Sequence, residues 1–425
     1  MSRPIRIAVF SFSVLVLLYV SFGYVFGQSK QDRSYRSLTV YGEVLDRIQQ
    51  DYVDQPNLRS VTTGGLHGLL EALDPESSYF SPQEYAEWKT ETAEHAKGSV
   101  GLNLSRRGYI FVISTLPGSP ALKASIHEGD VVEAIAGYTT QDMSVQQAQL
   151  LLDGPPGSTV KVAIVHRSSP KPENVDLTRV IVPQPPLLIT RFQGDVGYIR
   201  VASFDQGTAK GIRGKLKQFQ RQGVHKLILD LRECASGEDA EAIDTAQLFL
   251  NAGTIATLRG QTIATETFSA DPSKVAWRDP VSVLVSGSTA GPAEILAAAI
   301  AGNHRGSTVG QNTLGLASEQ KMIPLEDGSA IYLTVGIYYT PSGKAILNNG
   351  LAPTVQVPPP NSQTALLDAQ DIAPDPVPGE LPPPTDPLVK KAIEILNAGQ
   401  SADKAATSDQ APRPASRYPA FHRAG

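Results

Sequence analysis

The chain is poor in sulfur and has little excess charge of either sign. Its 425 residues include one cysteine, Cys234, and three methionines, and the formal net charge is −5. A single cysteine excludes a disulfide within the chain, so cysteine usage does not indicate the redox compartment. The basic residues form no stripe or tail, which argues against a nucleic-acid partner. The seven histidines stand apart, without a second ligand at metal spacing, so the sequence predicts neither a metal nor another cofactor.

A long apolar run occurs at the N-terminus. Arg3 and Arg6 precede an uncharged stretch over residues 7–26, about the length that crosses a bilayer core as one helix. The basic flank predicts that the N-terminus stays inside while the rest of the chain is exported. We therefore expect a single-pass inner-membrane protein whose globular part is periplasmic or extracellular. A cleaved signal peptide is the alternative, since Val25 and Gly27 are small enough to precede a cut.

The hydrophobic pattern divides the remaining chain into segments of different texture. Apolar residues at helical spacing predict an N-terminal helical module, and short β-type runs broken by glycine and proline predict a small β-rich domain after it. Alternating strands and helices predict an α/β core. A proline- and alanine-rich composition predicts a largely disordered tail, apart from one amphipathic stretch between Leu388 and Leu396. The predicted boundaries are 1–27, 28–95, 96–168, 169–358 and 359–425.

Four sequence motifs carry a family resemblance. Residues 73–79 read LDPESSY beside the family's LDPHSSY, and residues 338–344 read YYTPSGK beside YYTPSGR. Between them lie the PDZ-type motifs GSPA, EGDVV and GPPGS, and then GYIR and LDLR. In these motifs, which stand in the family's order and spacing, the chain resembles the carboxyl-terminal processing, or tail-specific, serine peptidases over residues 41–357. The resemblance implies a multidomain α+β and α/β protein, with a PDZ domain and an α/β core of the crotonase/ClpP-like type.

The resemblance also implies that the catalytic pair is lost. The family motif GSASASE has its nucleophile in the middle serine, and the aligned residues 288–294 read STAGPAE, which puts Gly291 at that position. The family base is a lysine in GEKTFGKGxxQ, and the aligned residues 310–320 read GQNTLGLASEQ, which puts Leu316 there and keeps Gln320. Glycine has no side chain to attack a carbonyl, and leucine cannot accept a proton. We expect a catalytically degenerate member with no intact catalytic residue.

The loop that would hold an oxyanion is altered as well. The family's DLRNNPGG becomes DLRECASG at residues 230–237. Alanine and serine restrict the backbone shapes that a Pro-Gly-Gly turn allows, and amide groups must be aimed accurately to stabilise an oxyanion. Ser288, Thr289 and Cys234 lie near the old site, so an active peptidase with a rearranged site remains the alternative. A purely structural envelope component is a third possibility.

The PDZ-like domain keeps its sequence features. It predicts a carboxylate-binding loop at Gly98, Ser99, Val100, Gly101 and Leu102. Residues 145–152 predict the helix beside the binding groove, and an added peptide strand with a bound carboxylate is a known mode of recognition. We expect this domain to bind polypeptide C-termini or a partner protein, so that the chain either holds peptide ends without cutting them or regulates an active relative. The sequence does not indicate the oligomeric state.

Overall fold

The computed structural model describes Phe12, Leu15, Val16 and residues 38–93, 97–167, 169, 171–193, 195–358 and 378–408. Most of the apolar run at residues 7–26 lies outside this set. Within the set, no helix has both the length and the apolar composition needed to cross a membrane. A span needs about 20 predominantly apolar residues in one helix. The predicted single-pass inner-membrane placement, with its membrane contact through residues 7–26, is therefore corrected: the structure does not support it.

Two compact units divide the chain, Met1–Leu66 and His67–Gly425. The first unit contains helix α1 (38–51) and the start of α2 (Leu58–Glu71). The second opens with the end of α2, β1 (Ser78–Phe80) and α3 (Pro82–Ala93). Because the boundary falls inside α2, the helical module predicted over residues 28–95 is not confirmed as a separate domain.

A six-stranded antiparallel sheet forms the PDZ-like domain. Its strands are β2 (Leu102–Arg106), β3 (Ile110–Thr115), β4 (Val131–Ile135), β5 (Tyr138–Thr139), β6 (Thr159–Val165) and β7 (Pro172–Thr178), and its helices are α4 (Pro120–Lys123) and α5 (Val145–Leu152). The main strand order is β2-β3-β4-β6-β7, with β5 beside β4, so β2 is an edge strand. Ser144 and Gln147 form a capping box that starts α5. The helix packs next to β2 and closes one side of a groove along the sheet edge.

The α/β core is built on a second six-stranded sheet. Its strands are β8 (Leu188–Phe192), β9 (Val196–Arg200), β10 (Lys226–Asp230), β13 (Val281–Val285), β14 (Ser307–Gly310) and β17 (Val355–Gln356). They follow the order β17-β14-β13-β10-β9-β8, with every pair parallel except β8 with β9. Residues of β9, β10 and β13 are buried throughout, as expected for parallel strands covered on both faces.

Helices cover both faces of this sheet. The helices α6 (Thr208–Arg221), α7 (Asp239–Gln247) and α8 (Pro292–Gly302) share one large apolar cluster with it. On a separate cluster, α9 (Pro387–Ser408) places Val389, Ala392 and Leu396 against residues of the strands. The interval 359–425, predicted to be largely disordered, thus contains a helix packed on the core, while residues 359–377 and 409–425 lie outside the described part.

A third sheet joins distant parts of the chain. It contains β1, β11 (Thr254–Arg259), β12 (Glu266–Ser269), β15 (Ser318–Pro324) and β16 (Ala330–Tyr339). The short strand β1 follows the LDPESSY motif and pairs with β16, so that Ser78 lies opposite Tyr332. This pairing brings the motif beside β16, which also pairs with β15, the strand that follows Leu316.

Candidate functional site

Three loops meet at the carboxyl ends of neighbouring parallel strands. They follow β10, β13 and β14, which are adjacent in the sheet. In open α/β sheets this edge is where ligands bind, because the loops after each strand converge there. The loop after β10 carries the altered oxyanion sequence, the loop after β13 leads to Gly291, and the loop after β14 leads to Leu316.

Gly291 occupies a strained turn between strand and helix. It precedes α8 with φ 55° and ψ −119°, a conformation that costs free energy for residues with a side chain. A nucleophile on such a turn would project its side chain outward at the helix start. Within 4 Å of the position of a Cβ on Gly291 there is no other atom. Gly291, the position that the motif alignment gives to the nucleophile, therefore lies on a turn of this kind.

Glu294 connects the two altered positions. Its carboxylate is fully buried and accepts hydrogen bonds from the amide of Gly291 (3.0 Å) and from the amides of Gly315 and Leu316 (both 2.7 Å). The hydroxyl of Thr313 donates to the same carboxylate. Burial raises the pKa of Glu294, and these hydrogen bonds oppose the shift. Glu294 thus joins the turn at Gly291 to the loop that carries Gly315 and Leu316.

The loop after β10 turns back over the sheet edge. Gly237 has φ 115°, and a Cβ there would lie 2.4 Å from the carbonyl carbon of Phe204, so only glycine fits this position. The carbonyl of Cys234 accepts from the amide of Ala290, which joins this loop to the turn that carries Gly291. The hydroxyl of Ser236 lies 3.4 Å from the side-chain amide of Asn103 on β2. The PDZ-like domain therefore contacts the altered loop directly.

A cleft of about 300 Å³ lies between the PDZ-like domain and the core. One wall consists of β2 and α5, represented by Asn103, Leu104 and Gln149. The other consists of the three core loops, with Ser236, Gly291, Leu316, Ser318 and Gln320 among the lining residues. The sheet edge of the PDZ-like domain and the former catalytic positions therefore share one cavity.

Both ionisable side chains that line the cleft are acidic. Burial, assisted by the nearby charge of Asp74, raises the pKa of Glu76 to about 7. Burial is also the main cause that raises the pKa of Asp239 to about 6, with a hydrogen bond from Tyr338 opposing the shift and the charge of Glu319 adding to it. Sequence reasoning missed both acids. Asp239 begins α7 immediately after the altered loop, and Glu76 lies in the LDPESSY motif, so their positions relative to known motifs were available signals.

The replacement nucleophiles considered from the sequence do not line the cleft. Ser288 and Thr289 are buried, and the Thr289 hydroxyl donates to the carbonyl of Leu231 at 2.8 Å. Cys234 is fully buried, and burial raises the pKa of its thiol far above the usual range. A thiol in that state is unreactive, because the thiolate is the nucleophile.

Gln320 belongs to a chain of polar contacts below the cleft. Its amide nitrogen donates to the hydroxyl of Ser318 at 2.8 Å, and Ser318 donates to the carbonyl of Leu316 at 2.9 Å. The hydroxyl of Thr334 lies 3.5 Å from the same nitrogen and donates to Asp74 at 3.1 Å. The structure thus brings Gln320 together with Leu316 and with the LDPESSY motif.

The predicted carboxylate-binding loop has many of its amides engaged. The amide of Gly98 donates to Gly154, that of Ser99 to Val180, and that of Gly101 to the hydroxyl of Ser99. Its apolar side chains, Val100 and Leu102, are buried in the core of the domain. The peptide-binding role of the five loop residues remains a prediction. The neighbouring Asn103 and Leu104 on β2 are the ones that reach the cleft.

Comparisons with known proteins match this architecture. Residues 90–165 match the PDZ domain model, and residues 195–357 match the model of Peptidase family S41. The carboxyl-terminal-processing protease of Synechocystis sp. is 30% identical over 361 residues, covering 83% of this chain and 81% of that protein. The carboxy-terminal-processing protease of Bartonella bacilliformis is 29% identical over 338 residues, covering 78% and 77%.

A solved structure agrees in fold. The photosystem II D1 C-terminal processing protease matches with a TM-score of 0.61 and 26% identity, covering 75% of this chain and 92% of that one. The architecture is therefore that of a PDZ domain joined to an α/β peptidase core. The chain belongs to the carboxyl-terminal-processing protease family. This confirms the resemblance predicted from the four motifs. A PDZ domain in this family is consistent with binding of polypeptide C-termini.

Proposed function

We propose that this chain is a non-catalytic member of its family that binds polypeptide C-termini. The observation that supports the proposal is the cleft shared by the PDZ edge strand and the core loops, which is lined by Gly291 and Leu316, the residues that the motif alignment puts at the nucleophile and base positions. An extended peptide can add to the free edge of β2 beside α5. A chain bound there would reach the former site and meet no serine on the nucleophile turn. Retention of a peptide end, or regulation of a partner protein through it, is the resulting function.

An active peptidase with a rearranged site is the competing proposal. Ser236 and Ser318 are the serines that line the cleft, and a rearranged mechanism would use one of them. The Ser318 hydroxyl donates to a carbonyl and accepts from Gln320. No lysine or histidine is among the lining residues, so a base would have to be Glu76 or Asp239.

We expect the purified full-length chain to hydrolyse neither casein nor peptides with apolar C-termini. Loss of the nucleophile or of the base costs about 10⁴ to 10⁶ in rate, and the two act as one unit. The measurement is release of fluorescent fragments, compared with the same chain carrying Ser236→Ala and Ser318→Ala. Equal background rates are the expected result. Hydrolysis that disappears with Ser236→Ala, Ser318→Ala, Ser288→Ala or Thr289→Ala would establish the rearranged peptidase instead.

Binding should depend on a free terminal carboxylate. A peptide with an apolar last residue should bind the full-length chain at least about tenfold more tightly as the acid than as the C-terminal amide, because charge-assisted hydrogen bonds are worth about 1.5 to 3 kcal/mol each. Isothermal calorimetry with the matched pair measures this ratio. A peptide ending in aspartate serves as the control for the apolar last residue. Equal affinity for acid and amide, or no binding of either, would leave a structural role.

A further inference from the structure

The cleft has a one-sided charge distribution. The ionisable groups on its walls are Glu76, just before β1, and Asp239, at the start of α7. The remaining lining residues are apolar, hydroxyl or amide side chains and glycines. The charges that act on these two acids are those of Asp74 and Glu319, and Asp239 also accepts a hydrogen bond from Tyr338. Neither acid has a cationic partner among the groups that shift its pKa.

Several arginines on the strands and loops around the cleft are engaged with other partners. Arg106 pairs with Glu71 at 2.6 Å and donates to carbonyls around α5. Arg107 lies 3.5 Å from the carbonyl of Leu314, outside the lining residues. Under the altered loop, Arg200 pairs with Glu233 and Arg232 pairs with Asp230. A peptide in the cleft would therefore meet two carboxylates for which the described part of the chain provides no salt bridge.

We propose that the cleft selects polypeptides that carry a lysine or arginine upstream of a free C-terminus, with Glu76 and Asp239 as the specificity-determining residues. This inference rests on the proposed function of terminus binding. A half-buried carboxylate without a counter-ion gains more electrostatic free energy from a ligand cation than a fully solvated carboxylate does, because water screens the pair less. The amide side chains of Asn103 and Gln149 on the opposite wall provide hydrogen bonds for the peptide and add no competing positive charge.

The test uses full-length chain and a series of fluorescein-labelled peptides with one apolar C-terminal residue. Each peptide carries a single lysine at a successive upstream position and has a partner with glutamine there, and each pair is made as acid and as amide. At one or two positions we expect the lysine peptide to bind about fivefold more tightly in fluorescence anisotropy, the size of one partly exposed ion pair. The gain should shrink towards about pH 5, because both acids are then protonated, and should be full at about pH 8.

Two variants and one control localise the effect. Glu76→Gln and Asp239→Asn, singly and together, should reduce the lysine preference, and in the double variant the lysine and glutamine peptides of each pair should bind with equal affinity. Asp244→Asn alters an exposed acid on the same helix α7 and should keep the preference. A thermal melt of each variant checks that it folds.

The outcomes separate this inference from the proposed function. Equal binding of lysine and glutamine peptides at every position, with the acid still preferred over the amide, overturns the charge selectivity and leaves terminus binding in place. If lysine increases the affinity equally at all positions, and does so to the same extent in the double variant, the attraction comes from the net negative charge of the whole chain. That result also overturns the charge selectivity of the cleft. Failure of every peptide to bind overturns both.

Discussion

Replacing Glu294 with alanine should destabilise the protein by at least about 4 kcal/mol. The change leaves the buried amides of Gly291, Gly315 and Leu316 and the hydroxyl of Thr313 without their acceptor. Each unsatisfied buried donor costs about 1 to 3 kcal/mol. Denaturant unfolding of the full-length chain measures the loss. Glu326→Ala, an exposed acid in the turn before β16, is the matched control and should change stability by less than about 0.5 kcal/mol.

Glu294→Gln tests the charge separately from the shape. In this variant one of the two acceptor oxygens is replaced by an NH2 group that faces hydrogen-bond donors. We therefore expect a loss of stability smaller than that of Glu294→Ala. Burial raises the pKa of Glu294 above its ordinary value of 4.5. Protonation of Glu294 therefore contributes stability that is fully present below pH 4.5, and this contribution is lost as the carboxyl ionises with the pH rising through the folded pKa. The stability advantage of wild type over Glu294→Gln should fall with rising pH. A loss below about 1 kcal/mol for Glu294→Ala would show that the two loops hold their shape without this carboxylate.

The motifs in the sequence located the site better than its local chemistry did. Gly291, Leu316 and Gln320 lie together as the motif alignment predicts, because loops after adjacent parallel strands converge. Whether the site is inactive remains a prediction. The four hydrogen bonds of Glu294 could not be predicted from the sequence, since Gly315 and Leu316 lie beyond the next strand, β14. Contacts between such distant residues leave no periodic signal in a single sequence.

Amino-acid composition did not predict how the C-terminal segment packs against the core sheet. The residues after Pro358 are rich in proline and alanine, which favours disorder. The amphipathic stretch from Leu388 to Leu396 was the exception in that prediction, and the structure extends it to a helix, Pro387–Ser408. Sequence reasoning could not show that this helix covers a sheet face opposite α6 and α8. It also did not foresee the pairing of β1 with β16, which places Glu76 in the cleft.

A buried ion network joins this C-terminal helix to the loop that lines the cleft. Arg232 donates to Asp230 at 2.5 Å and to Asp386 at 2.8 Å, and all three side chains are almost fully buried. The hydroxyl of Tyr198 also donates to Asp230, at 2.6 Å. Burial opposes ionisation of Asp230, but Arg232 outweighs it and lowers the pKa of Asp230. Asp230 therefore stabilises the fold above its unfolded pKa, and this contribution is lost as the pH falls through its folded pKa.

Replacing Asp386 with alanine should cost about 4 kcal/mol in the free energy of unfolding. The change breaks the buried pair between Arg232 and Asp386 and leaves part of the Arg232 guanidinium without its acceptor, and removing one partner of a buried ion pair typically costs about 3 to 5 kcal/mol. It also removes the acceptor for the amides of Leu388 and Val389 at the start of α9, worth about 1 kcal/mol. Asp386→Asn can still accept the hydrogen bonds that cap α9 and should lose less stability than Asp386→Ala. Lys391→Ala, which breaks an exposed pair with Glu394 on the same helix, should cost at most about 0.5 kcal/mol.

The same variant tests whether the C-terminal helix supports the cleft. Arg232 is followed directly by residues 233–237, and Ser236 and Gly237 in that loop line the cavity. If Asp386 fixes Arg232 in place, Asp386→Ala should weaken binding of C-terminal peptides as well as stability, whereas Lys391→Ala should change neither. Hydrogen exchange of the loop amides, measured where the variant is still folded, should rise in Asp386→Ala and stay unchanged in Lys391→Ala. A variant that loses stability while loop exchange and peptide affinity stay at the wild-type level would restrict Asp386 to anchoring α9.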